Sequence, residues 1–227
     1  MNMSNKLTDL NNKRDLEGTD IKLSFYAGNQ LMFSNIGVWL DGVFSWLSEK
    51  DWALYPAYFE NEHMTMSLAY HLQSNLHLTI FDQKSSDEND RLRKIILKNQ
   101  SNSKRDVRVV FYQHGLTKKF SEQMTFYSPT TKCLIHHVNR EFVLVSGMLG
   151  DEKQRQFAAG DPHLVWNQFK GTLAVLPLAS KSSESVFTLQ TSLNAWEEDQ
   201  GMMWALSHKS LDKLQQQHSQ LMEQYRK

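Results

Sequence analysis

Nine histidines lie along the 227-residue chain, and they are the first groups to weigh as metal ligands or acid–base catalysts. His136 and His137 are adjacent in "CLIHHV", so in a strand their rings leave opposite faces and cannot chelate one ion. His71 and His77 flank the Gln73-Ser74-Asn75 turn, where a hairpin would set them across from each other. Two ligands fall short of a site, so no metal and no other cofactor is expected. Carboxylates crowd into "DENDR" (87–91) and "WEEDQG" (196–201). Glycoside cleavage needs two carboxyls on opposite sides of a sugar, about 5–9.5 Å apart, whereas a cluster inside one loop reads as a solvated turn. Trp39, Trp46 and Trp52 offer flat faces that suit the C–H patches of a pyranose, although in a sandwich such residues more often fill the core. The chain has no G-x-S-x-G, no phosphate-cradling glycine loop, no H-E-x-x-H and no Cys–His signature. Its ten methionines are scattered, as gap-filling core residues are. From residue types and spacing alone, no catalytic group is assigned.

The composition narrows the classes further. Hydrophobic residues make up 40% and charged residues 22%, enough for a packed core. Twenty-five basic residues balance twenty-five acidic ones, which gives no support for nucleic acid or an anionic membrane as partner. The single cysteine, Cys133, can form no intrachain disulfide and no cysteine zinc site. The first twenty residues contain no apolar signal-peptide core, and no run of eighteen apolar residues occurs, so a cytoplasmic location is expected.

Any chemistry must be positioned by strands. Residues 1–20 are polar and aperiodic, and are expected to be loosely ordered. From residue 21 onward short apolar-aromatic runs alternate with turn residues. In "NLHLTIFD" Leu76, Leu78 and Ile80 point one way, and His77, Thr79 and Phe81 the other. In "RDVRVVFYQH" Val107, Val109 and Phe111 share one face, and Arg108, Val110 and Tyr112 the other. The loop Asn99-Gln100-Ser101-Asn102-Ser103 before that run predicts an antiparallel hairpin. Asn139-Arg140 predicts another, between "CLIHHV" and "EFVLVSG". "GTLAVLPL" and "SVFTLQTSL" supply two more strands, for ten to fourteen in all. Such spacing, without helical crossovers, predicts an all-β fold, a large antiparallel sandwich over residues 21–195.

Residues 196–227 differ. They are rich in helix formers, and Trp204, Leu211, Leu214, His218, Leu221 and Tyr225 recur at helical spacing. That pattern predicts one long helix from about Gly201, with an interruption near Ser207-His208. Trp204, Leu211, Leu214, Leu221 and Tyr225 are then candidates for an interdomain or dimer interface. The near-heptad spacing suits a two-helix seam and a homodimer.

Three stretches carry a family resemblance: "IGVWLDGVFSWLSE", "RLRKIILKNQSNSKRDVRVVFYQHGL" and "TFYSPTTKCLIHHVNREFVLVSG". Together they resemble the N-terminal β-supersandwich domain of glycoside hydrolase family fifteen, the bacterial and archaeal glucoamylase- and glucodextranase-like enzymes. The matching positions are 37–47, 95–99, 107–114, 127–129 and 134–137, and the resemblance covers residues 25–227. It implies a galactose-mutarotase-like supersandwich followed by a linker helix. In the family that helix leads into an (α/α)6 barrel carrying the catalytic acid and base. Those two glutamates have no counterpart here, so none is carried over.

The resemblance therefore implies a non-catalytic domain of a glucan α-glucosidase type of hydrolase, with a catalytic barrel and an α-glucan oligosaccharide as expected partners. A free-standing carbohydrate-binding or interaction module is the alternative. A third reading is a mutarotase-like enzyme on the sandwich itself, for which His114, His136 and Glu141 are the residues to test.

Overall fold

Period-two alternation carries most of the chain into strands, and strands with one apolar face must bury it against a second sheet. The computed structural model describes residues 21–27, 30–47, 50–58, 64–84, 90–116, 123–150 and 155–225. The polar segment 1–20 and most of "DENDR" lie outside them.

Two large antiparallel sheets face each other. The first holds six strands: β1 (Leu23–Ala27), β2 (Gln30–Leu40), β3 (Val43–Trp46), β8 (Arg105–Gly115), β12 (Arg155–Ala159) and β16 (Ser185–Leu193). Its order is β1-β2-β8-β16-β12, with β3 paired to β2. The second holds nine: β4 (Trp52–Tyr58), β5 (Met64–His71), β6 (Leu76–Lys84), β7 (Arg91–Asn99), β9 (Met124–Ser128), β10 (Cys133–Val138), β11 (Glu141–Leu149), β15 (Leu178–Ser180) and β17 (Glu198–His208). Its order is β15-β9-β10-β11-β17-β7-β6-β5-β4. The expected sandwich is what the chain forms.

Between the sheets lies the main core. Leu76, Leu78 and Ile80 of β6 meet Val107, Val109 and Phe111 of β8 within one buried cluster, the inward faces that alternation assigns to both strands. The Asn139-Arg140 hairpin also forms, joining β10 to β11. Both turn residues sit in the left-handed region, with φ of 52° and 65°, the geometry that matches strand twist in a two-residue turn.

The Asn99–Ser103 loop does not close a hairpin. β7 pairs with β6 and β17 in the nine-stranded sheet, while β8 pairs with β2 and β16 in the six-stranded one. The cause is the buried Asn99 amide. Its Nδ2 donates to the carbonyls of Ser103 at 2.7 Å, Asn194 at 2.8 Å and Leu193 at 3.3 Å. Its Oδ1 accepts from the amide of Ser101 at 3.0 Å and its hydroxyl at 2.7 Å. The loop is thereby turned across the sandwich, and tied to the neighbouring crossing from β16 to β17.

The run 171–178 is likewise not one strand. β14 (Thr172–Leu173) pairs with β13 (Trp166–Asn167) in a small hairpin, and β15 joins the large sheet. Between them the Leu176 and Pro177 carbonyls accept from Ala159 and Tyr127 at 2.8 Å each, which draws the chain away from a single ladder.

The C-terminal helix is shorter than the spacing predicts. Residues 198–208 form β17, which is laddered on both sides by β7 and β11, and the helix α2 spans Leu211–Tyr225. Two unpaired central strands would cost more backbone hydrogen bonds than a helix here could supply, so the ladder wins over the helical pattern. The step of seven from Trp204 to Leu211 imitates two helical turns only because a bend intervenes. Met203 and Ala205 face the main core, while Trp204 and Leu206 face outward beneath α2.

α2 lies on the outer face of the nine-stranded sheet over β10, β11 and β17. Leu214 is buried against Cys133, Ile135, Leu144, Met148, Trp204 and Leu206, and Leu211, Leu221 and Tyr225 pack around them. Of the residues assigned to an interface, Trp204 and Leu214 are buried between helix and sheet, while Leu211, Leu221 and Tyr225 are half-buried at the helix flank. His218 locks the contact: Trp204 Nε1 donates to its Nδ1 at 3.1 Å, and its Nε2 donates to the Thr131 carbonyl at 2.7 Å. This pair fixes one neutral tautomer. Burial, the largest cause, holds the His218 pKa below the ordinary histidine value. The buried Cys133 thiol beneath the helix is pushed up to about 11, mainly by burial.

Two outcomes are expected. Asn99→Ala leaves several buried groups unpaired and should lower the unfolding free energy by about 2–4 kcal/mol, read by urea denaturation. A cost below that of an exposed Asn→Ala control would show that the amide does not hold the corner. For His218, whose folded pKa lies below its unfolded one, stability is fully present above the unfolded value near 6.5 and falls with pH through the lowered folded value. His218→Ala should therefore flatten stability against pH in that window. An unchanged slope would show that the Trp204 hydrogen bond carries no pH dependence.

Candidate functional site

The outer face of the six-stranded sheet is not left to solvent. Register places Asn35 beside Tyr112, Gly37 beside Val110, and Trp39 beside Arg108, while β3 sets Trp46 against Gly37 and Phe44 against Trp39. The absent side chain at Gly37 makes this possible. A Cβ there would lie 2.6 Å from Phe44 and 2.9 Å from Trp46 ring atoms, so only glycine lets both rings cross the strand. Phe44 meets Trp46 edge-on at 4.9 Å and Trp166 at 5.3 Å between centroids.

Over this face runs a strap, residues 160–176. It begins with the short helix α1 (Pro162–Val165), whose Asp161 cap accepts from the His163 amide at 2.8 Å. Asp at the cap and Pro in the first turn are the ordinary signals for a helix start. The β13–β14 hairpin follows, and its Asn167 Oδ1 accepts from Phe169 and Lys170 amides at 3.1 Å each. Two side chains from the sheet hold the turn down. Trp39 Nε1 donates to the Gln168 carbonyl at 3.1 Å. Arg108 Nη1 donates to the Lys170 carbonyl at 2.7 Å and also to that of Gly171, with its guanidinium 4.6 Å above the Trp39 ring. Beneath the strap Val110, Ala158, Val165 and Val186 form a satellite core.

Strap and sheet enclose a cleft of about 720 Å³, within the usual size of small-molecule sites. Asn35, Trp46, Tyr112, Asp161, Trp166, Phe169 and Glu184 are among its walls. The Tyr112 hydroxyl donates to Glu184 Oε1 at 2.8 Å. Burial first, then that hydrogen bond and the charges of Glu184 and Asp161, raise the Tyr112 pKa well above the usual tyrosine range. The phenol is a fixed donor and not a base. Two buried polar atoms in the walls, Asn35 Oδ1 and Trp166 Nε1, have no hydrogen-bond partner among the described residues.

The residues singled out in the sequence are scattered. His136 lies in the main interior between Thr125 Oγ1 at 3.1 Å and Ser185 Oγ at 3.0 Å. Burial lowers its pKa to about 3, so it stays neutral. His137 leaves the other face and packs on Phe142, as strand alternation requires. His114 stacks on Tyr112 outside the first sheet, and Glu141 opens β11 in the second; these two and His136 form no common site. His71 and His77 do not meet either. The register sets His77 against Tyr70, which stacks on it at 4.1 Å, while His71 faces Trp52 and accepts from or donates to Ser74 at 2.8 Å. Trp52 is core, with Nε1 donating to Ser45 Oγ at 2.8 Å; Trp39 holds the strap and Trp46 lines the cleft. In "WEEDQG", Glu197 accepts from the Asn194 amide in the turn before β17, while Asp199, inside β17, accepts from the Thr191 hydroxyl of β16 and the Gln200 amide. No group of three or more metal-ligating side chains occurs among the described residues, and no helix there is long and apolar enough to cross a membrane.

The cleft residues Asn35, Asp161, Trp166, Phe169 and Glu184 carry no spacing that marks them in the sequence. Strand register, which short spacing cannot show, brings them together.

No protein-family model and no curated protein sequence matches the chain. Solved structures do. A bacterial glucoamylase complexed with acarbose superposes with a TM-score of 0.62 at 8% identity, covering 90% of this chain and 33% of that one. A putative kojibiose phosphorylase from human microbiome gives 0.50 at 8%, covering 90% and 28%. At that identity the likeness establishes the fold, a large β-sandwich of the kind contained in these carbohydrate-acting proteins. The chain spans about a third or less of their lengths.

The strap depends on Gly171, whose φ is +62° and whose added Cβ would meet Trp39 and Arg108 at 2.7 Å. Gly171→Ala should cost about 1–3 kcal/mol and open the 160–176 segment to limited proteolysis while the sandwich stays folded. Protection equal to wild type would show that the turn is not held from below.

Proposed function

We propose that this chain is a non-catalytic β-supersandwich domain of a glucoamylase-like glycoside hydrolase, bracing a catalytic unit carried elsewhere. The carrying observation is the superposition of 90% of this chain on a third of a glucoamylase. A domain that braces another needs apolar surface to offer, and the strap and the segment after it present some. Leu164, Val175 and Leu178 are 78%, 93% and 51% exposed, an arrangement that covers more apolar area when a second body docks.

Asp161 and Glu184 are the carboxylates that a rival, catalytic reading would use, since they share the cleft. Both already serve the fold, one as a helix cap and the other as acceptor for Tyr112. The purified chain is expected to release no glucose from maltose, dextran or trehalose. Mixed with a purified barrel unit of a glucoamylase-like hydrolase, it should form a complex that persists through size-exclusion chromatography. Glucose release that falls at least about a hundredfold in Asp161→Asn or Glu184→Gln would overturn the bracing role and make the sandwich the enzyme.

A further inference from the structure

We infer that the cleft under the strap is a binding site for one pyranose unit of a neutral oligosaccharide, held without being cleaved. The unpartnered atoms in its walls carry the inference. Asn35 Oδ1 requires a donor and Trp166 Nε1 an acceptor, and leaving such groups unpaired is costly. A hydroxyl satisfies either need. The several hydroxyls of a sugar supply both donors and acceptors, whereas an ammonium group supplies donors only and a carboxylate acceptors only. Both atoms are withheld from solvent although their side chains are only half-buried, so a ligand meets them when the Asn35 amide and the Trp166 indole turn toward the cleft on binding.

The rest of the cleft suits the same chemistry. Phe169 stands 81% exposed at the lip, and Trp46 and Tyr112 line the wall. Aromatic rings beside hydrogen-bonding groups are what the alternating C–H and O–H surface of a sugar ring presents for recognition. The negative charge is already engaged, because Glu184 accepts from Tyr112 and Asp161 caps α1. Lys22 and His163 line the same cleft. That balance disfavours a cationic ligand, for which aromatic walls and free carboxylates would be the requirement. Arg108 and Trp39, by holding the strap, set the distance between its rings and the sheet.

The test is nitrogen–proton correlation NMR of the intact chain titrated with maltotriose, following the indole resonance of Trp166 assigned through Trp166→Phe. The expected result is a saturable shift of that resonance. Phe169→Ala, at an exposed position that does not burden folding, should weaken binding about threefold to tenfold with an unchanged melting temperature. No shift up to the solubility limit of the sugar would overturn the inference. So would shifts confined to residues outside the cleft, or a Trp166 shift produced by spermidine and not by maltotriose. Glucose release and this titration fail independently: loss of binding leaves the bracing role standing, and cleavage of a bound sugar removes the bracing role while keeping the site.

Discussion

The carboxamide of Asn99 stands where the chain leaves one sheet for the other, and its five hydrogen bonds join two such departures. On one side are Ser101 and Ser103 of the crossing from β7 to β8; on the other are the carbonyls of Leu193 and Asn194, where β16 gives way to β17. The pairs β7–β17 and β8–β16 are long ladders in opposite sheets. Tying their ends at one corner fixes how the two sheets lie over each other, and with it which faces become interior. A buried amide is suited to this task because each of its donors and acceptors has a required partner, so it tolerates only one arrangement.

Once that relation is set, each sheet has a second face to dispose of, and the two are covered differently. The nine-stranded sheet receives a helix whose leucines supply area and whose buried His218 supplies direction. The six-stranded sheet receives an irregular strap, which cannot satisfy its own backbone and so borrows donors from Trp39 and Arg108 below. A helix closes tightly the strands it lies on. A strap held at one turn leaves room beside it, and the cleft lies in that room.

Much of the frame could be read from the sequence because period two is local. The inward faces of β6 and β8, the opposed rings of His136 and His137, and the Asn139-Arg140 turn all depend on residues a few places apart. The failures have a common physical source. Whether Asn99–Ser103 closes a hairpin or crosses the sandwich depends on the carbonyls of Leu193 and Asn194, far along the chain. Whether "GMMWALSH" is helix or strand depends on β7 and β11 being present to pair with it. His77 meets Tyr70 and not His71 because of register, which a one-residue slip would reverse. The cleft is the extreme case, since Asn35, Tyr112, Trp166 and Glu184 come from four separate segments.

Cys133 places a reactive group type where the covering helix keeps it from reacting. Its thiol is fully buried in the cluster that α2 closes, and burial holds it protonated at neutral pH, so it is inert while the helix is down. Alkylation or oxidation of this thiol therefore requires that the cluster beneath Leu214 and His218 first come apart, locally or by unfolding of the sandwich. Its rate of reaction with a thiol reagent is thus a chemical measure of how firmly that face stays closed.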